Sequence, residues 1–264
     1  IDEHGQQIAG YSYIQAEDAP VQPARDAAGR DVVVDCDLAG RRVAVKVWRA
    51  DVGRIPVMLL DTDLPQNDAG DRQITRQLYG GDSQTRLQQE IILGIAGVRA
   101  LRAAGISPQV WHINEGHAAF QIVERIRELV AAGVEFNAAV EAVAACTVFT
   151  THTPVSAGHD VFDKGLLLDY FRKLVGELGV GEQGFLQLGS DGAPESGFNM
   201  TRLALTGSRH VNGVSRIHRH VTAQICAPNW PEIPAAENPI GFVTNGVHVP
   251  TCWSRTWAPP GVTS

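Results

Sequence analysis

The chain has 264 residues, of which 44% are hydrophobic and 19% charged, and its formal net charge is −7 at neutral pH. This length and composition predict a soluble globular protein with one large core or two modest ones. The basic residues are scattered singly or in pairs, and no apolar run approaches the roughly 20 residues that cross a bilayer. We therefore expect no nucleic acid and no membrane as a partner.

The first elements of the chain predict a β-rich region. Residues 31–63 carry β-branched residues in alternation, with Gly40 at a turn between two runs and a third run that ends in acidic residues. Alternation with a glycine turn is typical of an antiparallel hairpin. We therefore treat residues 1–54 as a β-rich subregion.

From about Thr85 the hydrophobic period changes to that of helices. Apolar residues recur at three- and four-residue spacings up to the stop at Gly105, and again from Phe120 to Gly133. The segment "QVWHI" lies between these helices, and the helix "AAVEAVAAC" leads into "TVFTT". Helices that alternate with short strands favour a parallel sheet. We predict an α/β fold, with a Rossmann-like, doubly wound sheet over residues 55–264.

The last third of the chain has weaker patterns. "MTRLALTGSRHVNGVSRIHRHVTAQI" predicts a helix, a turn and a second helix, and "GFVTNGV" predicts one more strand. The apolar residues expected on one face of the second helix are Val214, Ile217, Val221 and Ile225. The glycine-rich residues 179–198 predict a loop between helices.

Polar residues follow four of the predicted strands. If these strands are parallel neighbours, their carboxyl ends meet at the edge where open α/β sheets bind ligands. Each group alone also fits a helix cap or a turn, because Asp, Asn and Thr are common there. The four groups are Asp61 with Asp63, Asn114 to His117, His152, and Asn245 to His248.

Two enzyme classes find little support in the sequence. His112 and His117 are five residues apart, whereas a helical zinc motif spaces its histidines by four, and no H-E-x-x-H motif occurs. The chain also lacks the G-x-S-x-G motif that positions the serine of many hydrolases. We predict no metal site.

Four sequence blocks carry a resemblance to a known family. In order they are "HINEGHAAF", "TTHTPVSAGHDVF", "NMTRLAL…SRHVNGVSRIH" and "GFVTNGVHVPTCW". Together they resemble the N-terminal half of the α-glucan (glycogen/maltodextrin) phosphorylases, in the shorter bacterial form. The similarity runs from about Val47 to Trp253. It implies the first domain of a two-domain glycosyltransferase of the B-type fold.

The resemblance implies a reaction and a cofactor. The family transfers the non-reducing-end glucosyl unit of an α-1,4-glucan to phosphate, and the product is glucose 1-phosphate. It uses pyridoxal phosphate, whose lysine belongs to the second domain, so we expect no cofactor on this chain. The chain begins at Ile1 without an initiator methionine or a signal segment. We expect an inactive fragment of a longer cytoplasmic enzyme.

The resemblance also implies the site residues. His117 matches a histidine that lines the sugar pocket, and His152 matches one that contacts the glucosyl ring, partly through its main-chain carbonyl. "LYGGD" matches a mobile gate loop, which makes Asp82 the acid beside the substrate. The glycines at 80 and 81 differ from the pair that is common in the family. We expect Asp82, His117 and His152 to face a common hollow.

Other residues are assigned supporting roles. Asn114 and Glu115 are interpreted as turn residues that aim His117, and Asn245 with Gly246 as structural. We expect the remaining histidines to be surface or capping residues and three arginines to form a solvated helix face. These residues are His159, His210, His218 and His220, and Arg86, Arg99 and Arg102.

Two other function classes remain open. A non-catalytic glucan-binding module would keep the cleft wall without the cofactor domain. A nucleotide-sugar glycosyltransferase shares the two-domain layout only by analogy and would need a nucleotide site elsewhere. Sequence beyond residue 264 separates these classes, since a cofactor-lysine motif there favours the phosphorylase.

Overall fold

A computed structural model describes residues 16, 19–77, 81–155, 159–190 and 196–247. It contains an antiparallel sheet, a parallel sheet and a short strand pair, connected by helices. The predicted residues His248 and Gly80 lie outside the described part of the chain.

The antiparallel sheet comes first in the chain. The predicted hairpin is confirmed, with the turn at Gly40, whose φ of +82° is the left-handed conformation that favours glycine. The third run pairs antiparallel with the long second strand of the hairpin. The strands are β1 (Gln22–Pro23), β2 (Val33–Leu38), β3 (Arg41–Val52) and β4 (Ile55–Asp61).

This pairing corrects one expectation about the ligand edge. We expected Asp61 and Asp63 to follow a strand of the parallel sheet, but β4 belongs to the antiparallel sheet. Asp61 instead accepts a hydrogen bond from the Trp48 indole at 2.9 Å, and Asp63 pairs with Arg72 at 2.6 Å. The antiparallel sheet therefore extends past residue 54, where the sequence suggested a division.

The second sheet is parallel, as predicted. Its order is β10-β9-β6-β5, and each neighbouring pair is parallel. The strands thus lie side by side in chain order, without a reversal of strand order among the described residues. The strands are β5 (Trp111–Asn114), β6 (Thr147–Thr151), β9 (His210–Gly213) and β10 (Ile240–Phe242), and a separate antiparallel pair consists of β7 (Val161–Phe162) and β8 (Phe198–Asn199).

Helices fill the intervals between the strands. A π-helix (Ile92–Ala96) joins the first two α-helices into one continuous rod. The α-helices are α1 (Ser83–Ile91), α2 (Gly97–Ala103), α3 (Phe120–Ala131), α4 (Phe136–Ala145), α5 (Lys164–Leu178), α6 (Gly181–Leu186), α7 (Met200–Thr206) and α8 (Arg216–Ile225). No helix among the described residues is long and apolar enough to span a membrane.

Three predictions for the last third of the chain were wrong. Residues 210–213, where we expected a turn, form strand β9. Its sequence "HVNG" is short and mostly polar, so it has no strand pattern. The predicted apolar face of α8 is also wrong, because Ile217 is 78% exposed whereas His218 is buried. The predicted glycine-rich loop contains α6, whose Phe185 is fully buried.

A single apolar core connects both sheets. Val34 and Val45 of the antiparallel sheet belong to the same buried cluster as Phe149 of the parallel sheet. Phe120 of α3 packs on Phe171 of α5 with ring centroids 4.7 Å apart, a favourable aromatic separation. The core therefore fixes the carboxyl ends of β5 and β6 relative to α1 and α3.

Candidate functional site

The turn after β5 has an unusual backbone. Glu115 has φ +64° and ψ 176°, a conformation that side-chain-bearing residues rarely adopt. Its amide donates to the Thr150 carbonyl at 2.9 Å, which continues the pairing of β5 with β6. This strained turn directs the chain into the short 3-10 helix Gly116–Ala118. Gly116 lies so close to Met200 that an added Cβ would be 3.1 Å from it.

The turn after β5 holds His152, which follows the neighbouring strand. The Glu115 carboxylate accepts a hydrogen bond from the His152 amide, and Asn114 Oδ1 lies 2.7 Å from His152 Nε2. Asn114 and Glu115 therefore contact His152, whereas we interpreted them as residues that aim His117. These bonds fix the main chain at His152 beside the turn that contains His117.

A row of polar side chains crosses three parallel strands near this edge. His112 Nε2 lies 2.7 Å from Thr150 Oγ1, and Thr150 donates to Asn212 Oδ1 at 3.1 Å. Sequence reasoning noted none of these links, because residues paired across a sheet are distant along the chain.

His117 belongs to a cluster of four charged side chains. Its Nδ1 lies 3.1 Å from Asp160 Oδ2 and 3.5 Å from Glu90 Oε1. Arg86 Nη2 lies 2.7 Å from Asp160 Oδ2, 3.2 Å from Glu90 Oε1 and 3.3 Å from His117 Nδ1. Arg86 and Glu90 are one turn apart on α1, and Asp160 precedes β7. We call Arg86, Glu90, His117 and Asp160 the His117 cluster.

Proximity and burial shift the ionisation of this cluster. Hydrogen bonds to Asp160 and then to Glu90 raise the pKa of His117 to about 9. Burial raises the pKa of Glu90 to about 7. Burial alone would raise the pKa of Asp160, but its contacts with His117, Glu90 and Arg86 lower that pKa below its ordinary range. Perturbed groups of this kind are characteristic of functional sites.

The cluster has a donor set that metals use, but a guanidinium already occupies it. The closest ligand atoms of Glu90, His117 and Asp160 lie within 4.8 Å of one another. Arg86 contacts all three groups and supplies the positive charge between them. A metal ion would have to displace Arg86, so the geometry favours an ion-pair cluster.

A cavity of about 700 Å³ lies beside the cluster. Its walls are mainly apolar, with Leu60, Ile92 and Trp111 among them, and His117 and Glu90 contribute polar groups. Apolar walls with a few polar groups are typical of small-molecule sites. Neither Asp82 nor His152 is among the described residues that line this cavity.

Asp82 caps the helix that carries part of the cluster. Its carboxylate accepts from the Thr85 amide at 2.9 Å and from the Thr85 hydroxyl at 3.0 Å. These bonds lower the pKa of Asp82. No described contact joins its carboxylate to His117 or His152. The structure thus places the turn that contains His117 next to His152. Asp82 caps α1 and lies four residues before Arg86 in the sequence.

The expectation of a solvated arginine face was wrong for two residues. Arg86 belongs to the His117 cluster, and Arg99 binds the fully buried carboxylate of Glu124 at 2.8 Å. Arg102 pairs with Glu128 nearer the surface. One sequence feature could have identified the cluster. Glu90 lies next to Ile91 on the predicted apolar part of the helix, which is an unusual position for a charged residue.

Two of the histidines that we expected in surface or capping positions are not at the surface. His159 is half-buried, with Nδ1 2.5 Å from Thr201 Oγ1, and burial lowers its pKa. His218 is 9% exposed and its Nδ1 accepts from the Val214 amide at 3.3 Å. His210 and His220 are exposed, as expected.

The described contacts of the lysines lie outside the His117 cluster. The aldehyde of pyridoxal phosphate requires a lysine, and the chain has three lysines. Lys46 lies over the Trp48 ring, Lys164 contacts Ser196, and Lys173 lies 3.8 Å from Asp37. None of these described contacts is with the His117 cluster, so we assign no cofactor chemistry to this chain.

Comparison with known proteins identifies the relatives of the chain. It is 39% identical over 258 residues to the maltodextrin phosphorylase of Thermococcus litoralis, a match that covers 97% of the chain and 30% of the relative. It is 40% identical over 266 residues to the glycogen phosphorylase of Mycobacterium tuberculosis, covering 96% and 31%. The glycogen phosphorylase of Aquifex aeolicus is 33% identical over 238 residues, covering 90% and 34%.

No family model matches the chain. The chain spans about 30% of the length of the first curated relatives that it matches. The resemblance indicated by the four sequence blocks is confirmed: along nearly its whole length, the chain is similar to the glycogen and maltodextrin phosphorylases.

Proposed function

We propose that this chain is part of an α-glucan phosphorylase, in which it supplies contacts to the glucan. The longer polypeptide transfers a glucosyl unit from the non-reducing end of an α-1,4-glucan to phosphate and releases glucose 1-phosphate. The observation that carries this proposal is 39–40% identity to two phosphorylases over 96–97% of the chain. Pyridoxal phosphate is held by residues outside this chain.

The exposed face of the edge strand β5 supports a larger, two-domain fold. Parallel sheets are normally covered by helices on both faces. Trp111 and Ile113 are buried on one face of β5, whereas His112 and Asn114 on the other face are exposed. We infer that further helices of the longer polypeptide cover this face and complete a doubly wound, Rossmann-like first domain of a B-type glycosyltransferase. Residues 1–54 and 55–264 are its two proposed subregions.

The proposed roles of the site residues follow from transition-state charge. Glycosyl transfer develops positive charge at the anomeric carbon, and a fixed carbonyl dipole aimed at this carbon lowers the barrier. We assign this role to the main chain of His152, which the Glu115 carboxylate holds. We assign His117 to the wall of the sugar pocket, and Asp82, which caps α1, to the acid beside the substrate.

The test uses the longer polypeptide that contains this chain. It should release glucose 1-phosphate from a maltodextrin and inorganic phosphate. His152→Ala should lower kcat/KM about 10²-fold, because the variant loses the side-chain bond to Asn114 and the fixed geometry of the main chain. Initial rates of glucose 1-phosphate formation provide the measurement.

His210→Ala is the matched control. His210 is exposed and is the first residue of β9, so it lies at the end of the strand away from the carboxyl ends that carry the site. Turnover of this variant should therefore equal that of the wild type. Absence of glucose 1-phosphate in the wild type would reject the proposed function. Unchanged turnover of His152→Ala would reject the role of His152 alone.

A further inference from the structure

Glu90 is a buried carboxylate to which the proposed function assigns no role. It is 1% exposed, and its Oε2 has no hydrogen-bond partner among the described residues. Burying a carboxylate is costly unless a nearby cation compensates the lost hydration. The basic side chains near Oε1 are Arg86 at 3.2 Å and His117 at 3.5 Å.

The position of the His117 ring indicates where its proton lies. Three groups surround Nδ1: Asp160 Oδ2 at 3.1 Å, Arg86 Nη2 at 3.3 Å and Glu90 Oε1 at 3.5 Å, and two of them are carboxylates. A ring without a proton on Nδ1 would direct a lone pair at both carboxylates. A proton on Nδ1 instead donates to Asp160, and an imidazolium then also donates from Nε2.

The charges around the ring support the same conclusion. Arg86 and Glu90 approach from α1, and Asp160 approaches from the segment before β7. From α7, uncharged Met200 packs on Gly116, the residue before His117. Above pH 7, the raised pKa of Glu90, both carboxylates are ionised, and they balance two cations only when His117 is protonated, because Arg86 is always charged.

Building on the proposed function, we propose that Glu90 and Asp160 are positioning residues that hold His117 as an imidazolium. The charged ring then acts as a hydrogen-bond donor to an oxygen of the bound sugar or phosphate in the cavity beside β5. The raised pKa of His117 supports this assignment. Glu90, which is 1% exposed, acts through His117.

Nitrogen-15 NMR of the histidine rings in the 264-residue chain tests the charge of His117 without any activity. His117→Gln assigns the resonances by their loss. The wild type should show two protonated ring nitrogens at pH 7.5 and should titrate at about pH 9. Glu90→Gln keeps the shape of the side chain but removes its charge, so the midpoint should fall by about one unit or more.

Two further variants make the test decisive. Glu128→Gln removes an acid that pairs with Arg102 outside the His117 cluster, and it should leave the His117 midpoint unchanged. Asp160→Asn should lower the midpoint, and it tests the same charge balance if Glu90→Gln fails to fold. A neutral His117 ring at pH 7.5 in the wild type would overturn the proposal, as would an unchanged midpoint in a folded Glu90→Gln or Asp160→Asn variant.

Kinetics of the longer polypeptide test the consequence for the substrate. Loss of kcat/KM at alkaline pH should begin at lower pH in Glu90→Gln than in the wild type. Identical alkaline limbs in the two enzymes would reject the donor role of His117. Absence of phosphorolysis in the wild type would reject the proposed function, whereas the ring titration would still measure the charge of His117.

Discussion

At the scale of single residues, the molecule places several charges where burial makes them costly. Glu124 on α3 is fully buried and accepts from Arg99 at 2.8 Å and from Arg127 at 2.8 Å. Arg99 also donates to the Asp35 carbonyl of β2 at 2.8 Å. Burial would raise the pKa of Glu124, but the bonds from Arg127 and Arg99 outweigh it and lower that pKa. Glu124 thus connects α3 through Arg99 to the antiparallel sheet.

The first prediction concerns this buried carboxylate. Glu124→Gln should lower the free energy of unfolding by about 3 kcal/mol, because it removes the buried counter-charge of Arg99 and leaves Arg127 with Glu177 at 3.7 Å. Glu128→Gln on the same helix removes a more exposed partner of Arg102 and should cost less than about 1 kcal/mol. Urea unfolding followed by circular dichroism measures both variants. Equal losses would show that burial does not determine the strength of these pairs.

At the scale of elements, the π-helix between α1 and α2 determines how the helix rod meets α3. Gly94 lies in this π-helix, and a Cβ added there would be 2.7 Å from Phe120 Cβ and 2.8 Å from the Gln121 amide nitrogen. Single-turn π-helices occur frequently at functional sites. The close approach aligns α1 with the start of α3, so that Glu90 lies near His117.

The second prediction tests this close approach. Gly94→Ala should destabilise the chain by about 2 kcal/mol, because the added methyl group meets the backbone of α3, which has little freedom to move. Gly176→Ala in α5 is the control, since no atom lies within 4 Å of an added Cβ there. The control should be neutral or gain up to about 1 kcal/mol from higher helix propensity. Thermal and urea unfolding measure both, and a tolerated Gly94→Ala would contradict the packing argument.

At the scale of the whole molecule, the two main sheets share one hydrophobic core. Ile91 and Ile95 of the helix rod are buried in the same cluster as Val34 and Cys36 of β2. Cys36 is 1% exposed, and burial raises the pKa of its thiol to about 12. Residues on the two sides of the predicted division at 54 and 55 therefore bury each other's apolar surface.

The third prediction follows from this shared core. A chain shortened to residues 62–264 should not unfold cooperatively, because it exposes the apolar face that β2 and β3 cover. The 264-residue chain should unfold in one transition that includes both sheets. Urea unfolding of the two chains, monitored by circular dichroism and tryptophan fluorescence, makes the comparison. A cooperative transition in the shortened chain would show that the parallel sheet folds as a separate unit.

The sequence by itself determined the elements with strong local periodicity. The hairpin at Gly40, the helix rod, α3, α4 and the strands around His112 and Phe149 follow from patterns of two or of three and four residues. The resemblance to phosphorylases likewise depends on contiguous blocks such as "HINEGHAAF". These features are local, so the chain encodes them over short distances.

Only the tertiary structure decided which distant residues meet. It placed β4 in the antiparallel sheet, because strand pairing depends on partners that the local pattern does not specify. The segment "HVNG" forms strand β9, because pairing with β6 and β10 outweighs its weak local preference for a β-strand. The tertiary structure also assembled Arg86, His117 and Asp160 from three segments. Contacts across 74 residues of chain, such as that of Arg86 with Asp160, arise from the packing of the folded core.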